Sequence, residues 1–378
     1  MNRSLLLGCT AVVAAAISGP ALAQAKFDVT IGGDAYFQGG YVDHDLDAGE
    51  RSTEFRNRFR VNIIPTAKAD NGLEYGGHVR IRANRDDAAV DGDRAYLFVQ
   101  GAFGTVQAGV VNGLSDEYGV IGPNVEGIAG GPDNSTLDFV PNAALPANAM
   151  NFRNLASGDA GTKIVYLTPS FSGFQAGASY MPRTGNVNNS INLSKTEAFG
   201  DLRAMTYTDV FEVGGLYRGE FGAVTVEASA FYEFGQAMDQ VEPTMRYAYD
   251  DLSSFSAGVN VGYMGFAVGG FYAYHGDSGY CKTTAGCISR EDQHVWSLNA
   301  QYGFGDVIVA GSYLNARDAG DMTVAGRSKL DLWQAGVTYA VAPGLTVGLE
   351  YSYFDLDADV AANSTNGSIV MLDTRLAF

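Results

Sequence analysis

Six arginines stand at spacings that decide what they can do. Arg56, Arg58 and Arg60 alternate with other residues, Arg80 and Arg82 are two apart, and Arg94 follows. On a β-strand, residues two apart share a face. Arg56, Arg58 and Arg60 therefore project together, opposite Phe55, Phe59, Val61 and Ile63, and His78, Arg80 and Arg82 project together, opposite Tyr75, Val79 and Ile81. Such a stack cannot face hydrocarbon, where each arginine costs about 2–4 kcal/mol at the midplane. It also repels itself unless water or carboxylates oppose it, and Glu54 and Glu74 are candidate partners on the same strands. Opposed charge across a narrow aqueous passage sets ion selectivity and orients dipolar solutes.

Little else points to chemistry. Cys281 and Cys287, separated by five residues, read as a disulfide in an oxidising compartment. His275 and His294 flank them near Asp277, Glu291 and Asp292, but without ligand spacing they read as loop residues rather than a metal site. The acidic stretch between Leu114 and Gly161 offers carboxylates to Ca²⁺, yet lacks an Asp-x-Asp-x-Asp run. No Ser-His-Asp spacing, phosphate loop or basic nucleic-acid stripe occurs, and the Gly-x-Gly matches are turns. Neither a cofactor nor nucleic acid is expected, and an outer-membrane lipase would need a Ser-His pair near the lipid-facing rim that is not readable.

The elements that carry these residues follow a period of two. Leu345, Val347, Leu349, Tyr351 and Tyr353 alternate with Thr346, Gly348, Glu350 and Ser352, which is one apolar and one polar face. The pattern recurs from Phe27 to Phe37, Val224 to Phe234, Phe255 to Tyr263, Phe266 to Tyr274, Trp296 to Tyr302 and Trp333 to Val341. From Val307 to Leu314 both faces are apolar and the sides cannot be assigned. Short Gly- or Pro-containing connections, such as Asp70-Asn71-Gly72 and Ala342-Pro343-Gly344, alternate with long polar ones. Sixteen strands result, an even number. The expectation is an all-β, transmembrane antiparallel barrel with short periplasmic turns and long extracellular loops. A soluble sandwich packs its apolar faces together; here polar faces of Thr, Ser, Asn, Gln, Glu and Arg suit a lumen too wide for side chains to fill. Closure follows because an open sheet edge in lipid leaves backbone groups unpaired.

The amino-terminal residues agree with export. Arg3, the apolar run Leu5 to Ile17 and Ala21-Leu22-Ala23 have the form of a signal peptide cleaved after Ala23. Leu6-Leu7-Gly8-Cys9 looks like a lipobox, but it would leave too short an apolar run before the cysteine. Residues 1–23 are thus expected to be removed and 24–378 to form one barrel domain. That loses one arginine and no acid, leaving 355 residues with a formal charge of −19. No later segment has the 18 consecutive apolar residues of a spanning helix.

The whole mature chain resembles the general porins of Gram-negative bacteria, especially the alphaproteobacterial type. The likeness rests on the last strand ending in Phe378, with Leu376, Leu372 and Val370 on one face. It rests also on the strand-turn-strand from Arg94 to Val106, the Tyr166-Leu167-Thr168-Pro169-Ser170-Phe171-Ser172-Gly173-Phe174 segment, and a longest loop from about Leu114 to Gly161. The text Gly109-Val110-Val111-Asn112-Gly113 departs from the family's Gly-Arg pair entering that loop, so the basic wall must come from the six arginines. The resemblance implies a third loop folded into the lumen, setting Asp116, Glu117, Glu126, Asp133 and Asp138 opposite them. It further implies a homotrimer among outer-membrane lipid and lipopolysaccharide, and Phe378 as a signal read by the barrel-assembly machinery. The implied function is passive diffusion of ions and small hydrophilic solutes. A sugar-selective channel would show an aromatic slide, for which the inward aromatics Tyr36, Tyr96, Phe231 and Phe271 are too scattered.

Overall fold

The computed structural model describes residues 26–83, 91–123, 135–141, 144–149, 152–157, 161–185, 191–204, 206–282 and 287–378. The expected signal peptide, with Cys9, and the acids Glu126 and Asp133 lie outside the described residues.

Sixteen strands close into one antiparallel barrel. In chain order they are β1 (Asp28–His44), β2 (Thr53–Lys68), β3 (Glu74–Ala83), β4 (Asp91–Gly101), β5 (Gly104–Val110), β6 (Thr162–Leu167), β7 (Phe174–Arg183) and β8 (Tyr207–Phe221). There follow β9 (Val224–Ala237), β10 (Leu252–Tyr263), β11 (Phe266–Gly276), β12 (Gln293–Phe304), β13 (Val307–Asp318), β14 (Ser328–Ala342), β15 (Leu345–Asp357) and β16 (Thr365–Ala377). Each pairs with its sequence neighbour, and β1 pairs with β16 from Asp34↔Ala377 to His44↔Gly367, which leaves no edge. Among the described residues no helix is long and apolar enough to cross a membrane.

Alternation places the faces as the sequence pattern requires. Val29, Ile31, Phe55, Val268, Leu298, Leu349 and Leu372 are exposed on the outside, and aromatics pair there, as in Phe211–Phe234 and Trp333–Tyr353. Seven two- to six-residue turns form one rim, and each includes or adjoins a glycine of positive φ, for example Gly222 at 66° and Gly344 at 78°. Glycine takes that conformation without the Cβ crowding that other residues meet, which suits it to turns this tight. The other rim carries the long connections. Segments Thr196–Ala198, Asp239–Glu242 and Met245–Tyr247 make a small three-stranded sheet there. Beside it Tyr247, Tyr249, Tyr280, Cys281, Ala319 and Met322 form a buried cluster joining several loops.

The inner wall is not uniformly wet. Phe271, Val295, Leu314, Leu330, Leu332, Phe354, Leu356 and Ile369 make an apolar surface on the inward faces of β11–β16. It is covered by Ile121, Leu137, Val140, Ala144, Ala149 and Phe152 of the β5–β6 loop. This explains why Val307 to Leu314 looks apolar on both sides: Val309 faces outward and Leu314 lies inward beneath the loop.

Candidate functional site

The arginine ladder lies on the inner wall of β2–β4, and its neighbours differ from those expected. Asp34 on β1 accepts from Arg58 at 2.9 Å and from Arg60 at 2.7 Å. Asp93 on β4 accepts from Arg80 at 2.6 and 2.8 Å, with Arg82 at 3.6 Å. Glu54 pairs with Arg51 on the loop side instead. Asp34 follows from simple parity, being on the same face as Tyr36 and Gln38. Asp93 does not. The register runs Arg80↔Arg94 and Ile81↔Gly92, so Asp93 is an extra residue in β4. A bulge of this kind re-aims side chains, and here both Asp93 and Arg94 are turned to the interior, Arg94 being buried. The closing strand adds a seventh arginine, Arg375, held by Asp373 at 2.6 Å. Its inward position is implicit in the outward set Val370, Leu372 and Leu376.

Opposite this wall runs the β5–β6 loop. After Val110 the chain turns inward into a short helix, α1 (Leu114–Tyr118). Glu212 of β8 accepts the backbone N–H groups of Leu114 and Ser115 at 2.6 and 2.8 Å and the Asn154 amide at 3.3 Å. Glu233, its register partner on β9, accepts from the Ala156 N–H at 2.9 Å and from the Ser157 hydroxyl. Further along, Val120 donates to Ser229 and Asn299 donates to the Ile121 carbonyl. The backbone lies directly on the wall here: a Cβ at Gly258 would stand 1.6 Å from the Val120 carbonyl oxygen. Thr136 donates to Glu350, the Ala147 N–H to Asp318 at 2.8 Å, and Ser328 to the Ala144 carbonyl at 2.5 Å. Phe139 fits against Gly40 of β1, where a side chain would collide with its ring.

Of the acids expected to oppose the arginines, Asp138 is brought to Arg56 as an ion pair. Asp116 is not: it is largely buried and paired with Arg153 inside the loop. Glu117 accepts from Asn112 at 2.8 Å and lies within electrostatic reach of His78 and Tyr96. His78 itself bridges Tyr96 and Asn62, at 2.9 Å each. The expected inward aromatics are all occupied. Phe231 and Phe271 pack under the loop, Tyr96 meets His78, and Tyr36 lies under arginines.

The remaining candidates resolve simply. Cys281 and Cys287 are bridged, their Cα atoms 6.2 Å apart, at the edge of the loop cluster where burial pushes the Tyr280 phenol up. His275 is not a loop residue; it is buried at the end of β11, 2.7 Å from the Ser254 hydroxyl. That Ser-His contact lies fully covered beneath Asn154 of the loop, without access for an ester substrate. Among the described residues no group of His, Cys, Asp and Glu could hold a metal ion.

A closed sixteen-strand barrel, apolar outside, with paired charges along an inner wall, defines an outer-membrane β-barrel channel. The chain belongs to the Gram-negative porin family, whose model matches residues 9–359. It is 22% identical to an uncharacterized protein of Rickettsia conorii over 95% of this chain and 94% of that one. An uncharacterized protein of Rickettsia felis is 21% identical, over 100% and 99%. Among solved structures it is similar to in-vitro folded OmpT of Vibrio cholerae in its trimer form, with 13% identity, a TM-score of 0.60, and 93% and 99% of the two chains covered. A mutant Rhodobacter blastica porin gives 15% identity and a TM-score of 0.57, over 93% and 100%. At these identities the structures share the fold.

Proposed function

We propose that this porin is a general diffusion channel for ions and small hydrophilic solutes, weakly favouring cations. Its constriction runs between the arginine wall and the β5–β6 loop. The observation that carries the reading is the Arg56–Asp138 ion pair, which joins the wall to the loop, with Arg58, Arg60, Arg80, Arg82, Arg94 and Arg375 on the same side. Two opposed terms set the preference. The formal charge of −19 after removal of residues 1–23 concentrates cations at the mouth within a Debye length of about 8–10 Å. The arginines oppose this inside. Of the acids, Asp138 and Glu117 carry the negative side, and Asp116 acts as a partner for Arg153. A modest permeability ratio follows rather than a strict filter.

The test is the reversal potential under a tenfold KCl gradient. Replacing Arg58 and Arg80 together with Ser should raise conductance and shift it towards cations; Asp138→Asn with Glu117→Gln should shift it the other way. Shifts in the same direction, or none, sink the opposed-charge reading. Competition by sugars in the same bilayers separates a sugar-selective channel, against which the engaged inward aromatics argue. The remaining parts of the proposal are export by residues 1–23, Phe378 as the assembly signal, and a homotrimer in outer-membrane lipid and lipopolysaccharide. The trimer is supported by the assembly of the Vibrio cholerae protein.

A further inference from the structure

Tyr36 stands on β1 between two arginines. Its direct register partners are Arg58 on β2 and Arg375 on β16. The guanidinium carbons of Arg58, Arg375 and Arg56 lie 4.7, 5.3 and 5.5 Å from its ring centroid. Arg56 also donates to the phenol oxygen at 2.9 Å. The ring is only 7% exposed, so its neighbours rather than lumen water cover its faces. Three like charges around one residue repel one another, and in a wet passage long side chains relieve this by spreading towards the pore axis. An aromatic face opposes that tendency, because its quadrupole attracts each guanidinium. Asp34, two residues before Tyr36 on β1, and Asp373 on β16 hold Arg58 and Arg375 from the side, and Asp138 of the β5–β6 loop holds Arg56. The ring stands between Arg58 and Arg375 in the register and meets all three guanidinium groups.

We propose that Tyr36 is the positioning residue that holds Arg56, Arg58 and Arg375 against the wall, and so sets how wide and how positive the constriction is. This rests on reading the arginine wall as the selectivity element. Each ring contact biases its guanidinium towards the wall by a factor of about 2–5. In Tyr36→Leu all three contacts go, the heads spread into the lumen, and the positive charge moves closer to passing ions. The cation-over-anion permeability ratio then falls by roughly twofold, the lower end of that bias, and open-channel current noise rises. Tyr36→Phe keeps the π faces and loses one hydrogen bond, so it stays close to the wild type in both.

The experiment is planar-bilayer recording of the full-length protein and of Tyr36→Leu, Tyr36→Phe, Arg58→Gln, Arg375→Gln and the Tyr36→Leu/Arg375→Gln double variant. If the ring acts through Arg375, the double variant is non-additive, the Leu substitution having less effect once Arg375 is neutral. A side chain that merely fills space would give an additive cycle. Tyr36→Leu matching the wild type, Leu and Phe shifting alike, or an additive cycle would each overturn the role of Tyr36 while the arginine variants still shift. If neither arginine variant moves the reversal potential, the constriction reading falls and this inference with it. Should Tyr36→Leu fail to assemble as a heat-modifiable barrel, Tyr36→Met, of similar reach without a π face, carries the same expectations.

Discussion

Glu212 is the residue whose loss should release the loop without harming the barrel. Its carboxylate accepts the backbone N–H groups of Leu114 and Ser115 at 2.6 and 2.8 Å, at a site with no exposure. Hydrogen bonds to a charged group contribute about 1.5–3 kcal/mol each. Glu212→Ala removes both and strands two N–H groups, a gross loss of roughly 3–6 kcal/mol by that measure. Some is offset, because the variant no longer buries a carboxylate beside Glu233, which stands directly opposite in the register, and so saves its desolvation. A net cost near the lower end, about 3 kcal/mol, raises local opening of the α1 segment on the order of a hundredfold, while the strand ladders stay closed. Hydrogen exchange followed by mass spectrometry on peptides spanning Val111 to Ile121 reads this directly. Exchange there should accelerate by about that factor, strand peptides should keep wild-type protection, and bilayer recordings should show larger, noisier currents. Unchanged exchange around Leu114 with an intact barrel would refute the anchoring role.

Three further outcomes are expected. The unboiled protein should migrate differently from the boiled one on a denaturing gel, because a barrel without an edge has nowhere to begin unzipping; identical migration would count against closure. Thiol labelling of unreduced, denatured mature protein should find no free cysteine. Cys281→Ser should leave conductance nearly unchanged, since the short ring contributes only roughly 2 kcal/mol and sits in the loop cluster above strands held by their own ladders. Phe378→Ala should lower the amount of protein reaching the outer membrane while the folded barrel loses little stability. The half-exposed ring packs on Phe59 at 5.7 Å, a contact of about 0.5–1.5 kcal/mol, and the backbone bonds to Gly33 remain. A normal level in the membrane would reject its recognition role.

The local sequence determined the strands, their faces and the rims. A side-chain period of two and glycine-bearing turns are near-neighbour properties, so the outward row Leu345, Val347, Leu349 and Tyr351 and the inward row Arg56, Arg58 and Arg60 were legible without knowing any partner. Asp34 and Arg375 were legible by the same parity. What surrounds those arginines was decided only in three dimensions. Asp93 faces Arg80 because one extra residue in β4 breaks the alternation, and a bulge is defined by pairing with another strand. Glu212 and Glu233 look like ordinary lumen acids until the loop, distant in sequence, brings its N–H groups to them. Asp116 reads as a constriction acid and becomes the partner of Arg153 for the same reason. The apolar inner faces of β11–β16 likewise have no explanation in any one strand. Burial is a property of what covers a surface, and there the cover is the β5–β6 loop.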